Sequence, residues 1–126
     1  MAADAYLKVA ASQMQQAATA VKQDADQIRG ELATFKRTVE KEIGNMQSEV
    51  TIRQLEADRN KDDTANYNML LAVVLTLKHK ISDKQQELAQ RTSEAEQKIR
   101  GKEGAVQGII SQAQGIQRQA GDPQLK

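Results

Sequence analysis

Apolar residues recur along this chain at alternating steps of four and three. Leu7, Met14, Val21, Ile28 and Phe35 form one seven-residue series, and Ala11, Ala18, Ala25, Leu32 and Val39 fall four residues after each of them. Two interleaved series of this kind put an apolar seam on one side of a helix, and such a seam is covered by a partner helix. The spacing predicts a regular helix from about Asp4 to Ile43. Between Phe35 and Met46 the step is eleven residues instead of seven, a stutter that locally unwinds a supercoil. Gly44 and Asn45 lie inside it, and both residue types tolerate the conformation that ends helices. The expectation there is a stutter or kink and not a full turn.

The count resumes as Met46, Arg53, Asn60, Tyr67, Val74, Ile81, Leu88 and Ala95, with Ile43, Val50, Ala57, Thr64 and Leu71 as companions. Register therefore passes straight through Asp58–Asn66, the most polar stretch. Asn and Asp compete with helical backbone bonding, which makes this stretch the best connector, yet it contains neither Gly nor Pro. Two architectures follow. The leading one is all-α, an elongated antiparallel helical hairpin of coiled-coil type gathered into an oligomeric bundle. It has a helix over about 4–58, a polar connector over about 59–65, a helix over about 66–119 and a short tail at 120–126, all within one helical domain, 1–126. Each arm would be about 80 Å long at 1.5 Å per residue. The alternative is one long continuous helix in a parallel coiled coil. The hairpin leads because it sets apolar against apolar: Leu55 with Met69, Val50 with Val74, Ile43 with Ile81, Met14 with Ile109 or Ile110, and Leu7 with Ile116.

One stretch departs from the single stripe. Met69–Leu77 reads Met-Leu-Leu-Ala-Val-Val-Leu-Thr-Leu, the longest run of consecutive apolar residues in the chain. A helix apolar all round must be covered from several sides. One partner helix cannot cover Leu70, Leu71, Val73, Val74, Leu75 and Leu77 together, and soluble monomers avoid large exposed apolar patches. The expected contact residues are Val50, Leu55, Tyr67, Leu70, Leu71, Val74, Leu77 and Ile81, meeting another copy or another helical protein. A strand at 73–77 is rejected, because its flanks continue at helical period and nothing else in the chain could pair with it.

Composition sharpens this picture. Aromatic residues make up 2% of the chain and charged residues 28%. Large aromatics carry much of the buried area in compact cores, so their scarcity predicts a thin core. Five of the seven glycines lie at or beyond Gly101. Gly101, Gly104, Gly108 and Gly115 fall near one helix face, a close-packed contact ridge on one reading and a weakly helical, fraying end on the other. Gly121-Asp122-Pro123 ends any helix. Glu87 and Arg91, Glu94 and Lys98, and Glu96 and Arg100 are spaced i,i+4 with the acid first, the favourable order for helical pairs.

Charge and candidate chemistry exclude more than they suggest. The net charge is +1, with Lys and Arg interspersed among Asp and Glu; nucleic acid is not an expected partner, since its binders show a basic face. With no Cys there is neither a disulfide nor a thiolate metal site. His79 has no second His to complete a metal pair, so no metal and no other cofactor is expected. Asp58, Asn60 and Asp62 mimic the first positions of a calcium loop. The sharp turn of that loop needs Gly where this chain has Asp63, and its closing acid is replaced by Met69. No residues combine acid–base and nucleophilic roles, so no catalytic site is expected. The N-terminus shows no basic region followed by an apolar one, and the run at 69–77 is well short of the ~20 residues that cross a bilayer. A cytoplasmic protein is the expectation.

The resulting functional expectation is a non-catalytic helical coiled-coil protein acting in self-assembly or protein–protein interaction, as scaffold or adaptor. One alternative is a leaderless secreted or export-associated hairpin that works with a partner protein. The chain resembles the helical hairpins of bacterial secretion systems in size and shape alone; their Trp-x-Gly turn has no counterpart, as there is no Trp. The other alternative is peripheral membrane binding through an apolar stripe beside lysines.

Overall fold

In the computed structural model the backbone is described from residue 2 to 121 and the side chains from residue 5 to 118. Two helices account for nearly all of it: α1, Ala2–Arg59, and α2, Thr64–Gly121. They pack antiparallel as an all-α hairpin. The continuous rod is thereby set aside. Both helices are rich in Ala, Gln, Glu, Lys and Leu, strong helix formers, and the chain's single proline, Pro123, lies outside the described residues. So do the rest of the expected break at Gly121-Asp122-Pro123 and most of the tail predicted at 120–126.

The connector is shorter than expected, Asn60 to Asp63. The Asn60 N–H donates to the Ala57 carbonyl and the Asp63 N–H to the Asn60 carbonyl, both at 3.0 Å. Side chains complete the reversal. Asn60 Nδ2 donates to the Glu56 carbonyl at 2.7 Å, an otherwise orphaned acceptor at the end of α1. Asp63 caps α2: its Oδ1 accepts the Asn66 N–H at 3.2 Å, and its carbonyl accepts the first helical bond, from Tyr67 N–H, at 2.8 Å. Asn66 Nδ2 then donates across the turn to Asn60 Oδ1 at 3.1 Å. No described residue has a positive φ, which is why the reversal manages without glycine. Four connector residues replace roughly one helical turn of 3.6 residues. The count of seven from Asn60 to Tyr67 therefore survives the reversal.

Two compact units can be distinguished, residues 1–31 with 94–126, and residues 32–93. In the first, Ala11, Ala18, Ala25 and Ala113 are buried, with Leu7, Met14, Val21, Ile28, Ile109, Ile110 and Ile116 half-buried beside them. Asp24 pairs with Lys102 at 3.8 Å, and Arg29 bridges to Glu103 and, at 2.9 Å, to Asp26. In the second, Val39, Ile43, Ala57, Val74 and Leu77 are buried. Glu42 pairs with Lys84 at 3.0 Å, and the Arg91 guanidinium lies 4.3 Å from the centre of the Phe35 ring.

The stutter is real and the helix does not break. Phe35, Val39, Ile43 and Met46, spaced four, four and three, are all buried or half-buried, and α1 continues through Gly44. In α2, Lys84, Leu88 and Thr92 make the same double step of four. The two phase shifts occur in the same unit, where Phe35 meets Arg91 and Glu42 meets Lys84.

Candidate interaction surface

The seam of the 32–93 unit is thin by construction. Arg53 holds a seam position and answers two carboxylates of its own helix, Glu56 at 3.1 Å and Glu49 at 3.9 Å. Asn60, another seam residue, serves the turn. Apolar burial is left to a few aliphatic side chains.

Of the eight residues expected to make contacts, Val74 and Leu77 are buried at 2% and 8% exposure. Val50, Tyr67, Leu70, Leu71 and Ile81 are half-buried along the same seam. Leu55 is not on it. It is 51% exposed, and Met69, its expected partner across the hairpin, is 60% exposed. That pairing is corrected by the helical period: Leu55 lies two residues from both Arg53 and Ala57, which puts it on the back of α1. Ile52, absent from the expected contacts, is also 54% exposed, and in α2 Val73 and Leu75 remain uncovered at 38% and 58%. At about 100° per residue, Met69 and Val73 lie on one flank of the α2 seam and Leu75 on the other. The uncovered apolar residues thus face several directions around the turn-proximal helices.

In the other unit the expected glycine ridge is not an internal contact. A β-carbon added at Gly101, Gly104, Gly108 or Gly115 would meet nothing within 4 Å, and the same holds for Gly30 and Gly44. The glycines point away from the seam, which the alanines of α1 share with Val106, Ile109, Ile110 and Ala113. Beside that seam runs a groove with cavities of about 550 and 350 Å³. Lys22, Arg29, Arg100 and Glu103 line its walls. The expected Glu96–Arg100 and Glu87–Arg91 pairs do not form among the described residues: Arg100 turns to the groove and Arg91 to Phe35.

The remaining candidates for chemistry are accounted for locally. Asn60 and Asp63 spend their side chains on the turn, and His79 is exposed on α2. Among the described residues no group of three or more His, Cys, Asp or Glu is placed to hold a metal ion. No helix among them is long and apolar enough to cross a membrane. The chain matches no protein-family model, no curated protein and no solved structure.

Proposed function

We propose that this is a non-catalytic helical protein that acts by association, the turn-proximal part of its hairpin completing an apolar core with helices of a second copy or of another helical protein. One observation carries the reading. Among the described residues no large side chain is fully buried, while Ile52, Leu55, Met69, Val73 and Leu75 stand 38–60% exposed. Most helical stability comes from packing an apolar face. A two-helix seam whose buried residues in the 32–93 unit are Val39, Ile43, Ala57, Val74 and Leu77 supplies only part of it, and further helices laid on Leu55, Met69 and Leu75 supply more. Peripheral membrane binding has less support, because a membrane-surface helix needs one apolar stripe and these residues point in several directions. Thermal melts followed by circular dichroism over a wide concentration series test the proposal. Association raises the midpoint with concentration by mass action; a midpoint independent of concentration, with no added partner, argues against self-association.

A further inference from the structure

The groove in the unit formed by residues 1–31 and 94–126 has the makings of a second, chemically different docking surface. Its two cavities share Lys22, Val106 and Ile110 among their lining residues and so adjoin, together outlining a trough. Along α1 it extends from Gln15 to Arg29, about 21 Å at 1.5 Å per residue, or roughly four helical turns. The floor is apolar: Ala18 and Ala25, both buried, with Val106 and Ile110 half-buried. Alanine at two successive floor positions of α1 keeps that side low and leaves the trough open along its length.

The walls are basic. Among the described residues Glu103 is the only acid lining the trough, and it is already bonded to Arg29. Lys22 on α1 and Arg100 on α2 are exposed and form no ion pair among the described residues. An apolar floor thus runs between two exposed cations, one on each wall. We infer that this groove receives an acidic amphipathic helix of a partner protein. Such a helix would lay apolar residues at three–four spacing on Ala18, Ala25, Val106 and Ile110, and direct Asp or Glu flanks to Lys22 and Arg100. A trough four turns long and open on one side fits a rod-like occupant better than a compact small molecule, and helix-in-groove recognition uses this geometry. The paired charges fix the orientation and steer the encounter. The inference is independent of association through residues 52–75.

The test uses the full chain and a labelled synthetic helix of about 18 residues, roughly five turns, with Leu at three–four spacing flanked by Glu. A second peptide carries Lys in place of every Glu. Fluorescence anisotropy follows binding to the natural chain and to the Lys22→Glu, Arg100→Glu double variant, whose helix content is checked first. The Glu peptide should bind saturably and lose roughly tenfold in affinity on the variant, the scale of two surface ion pairs turned to repulsions. The Lys peptide should gain on the variant. Binding through the exposed apolar residues 52–75 would ignore both reversals. Absence of saturable binding by the Glu peptide, equal affinity for both peptides, or indifference to the double variant overturns the inference.

Discussion

Val74 and Leu75 are neighbours in sequence and opposites in burial, 2% against 58% exposed. One is held between the two helices, the other faces away from them. Their substitution by Asp should therefore have different consequences. Val74→Asp buries an unpaired charge, a mechanism that commonly costs about 3 kcal/mol or more, and should abolish the cooperative melt. Leu75→Asp should keep the helical circular dichroism spectrum and lower the particle mass. A Val74→Asp chain as helical and stable as the natural one would contradict the placement of the seam.

The turn makes its own prediction. Asp63 Oδ1 is the acceptor that caps α2, and loss of such a cap costs about 1 kcal/mol. Asp63→Ala should show that loss in urea unfolding, and Asp63→Asn, which keeps an acceptor, should restore most of it. Equal stability of the two variants would mean that the cap does not hold the turn.

Gly44 and Gly108 sit in helical backbone with open space where a β-carbon would go. Gly44→Ala and Gly108→Ala should each stabilise the chain by up to about 1 kcal/mol, the helix-propensity difference between the two residues. Chemical unfolding measures this directly. A loss of stability, or a change in mass, would show that the glycine face makes a contact outside the hairpin.

The Glu42 carboxylate accepts a hydrogen bond from the Lys84 ammonium and raises its pKa above the ordinary lysine value, with a smaller contribution from Glu87. A raised folded-state pKa means that the stability gained is fully present below the ordinary lysine value. It is lost as pH climbs through the raised one. The Tm difference between the natural chain and Lys84→Gln should be small near neutrality, as for exposed pairs generally, and should vanish above the lysine titration. A difference that persists through that titration would assign the effect to packing of the lysine stem.

The hairpin was largely legible in the three–four spacing. Every member of the Leu7–Phe35 and Met46–Ala95 series is buried or half-buried. The connector was legible through its chemistry, Asn and Asp side chains that satisfy helix ends. Register was no guide to the reversal, since four connector residues stand in for one helical turn. Leu55 is apolar but off the seam's period, two residues from Arg53 and Ala57, so apolar character alone points to the wrong face. The orientation of Arg91 and Arg100 was not legible from i,i+4 spacing, which offers each a local acid. Phe35 and the groove wall are partners that only the tertiary fold brings near. The glycines likewise lie on one face in sequence, but the fold decides whether that face meets anything.

The central claim is that this hairpin completes its core by association with further copies of itself. Absolute mass by light scattering over a concentration series, for the natural chain and for a Leu55→Asp, Met69→Asp, Leu75→Asp variant, tests it most directly. The account predicts a multiple of 13.9 kDa for the natural chain and a helical particle of lower mass for the variant. A natural chain that stays at 13.9 kDa at every concentration, cooperatively folded and indifferent to the three substitutions, would contradict self-association and leave only a separate helical partner to cover Leu55, Met69 and Leu75.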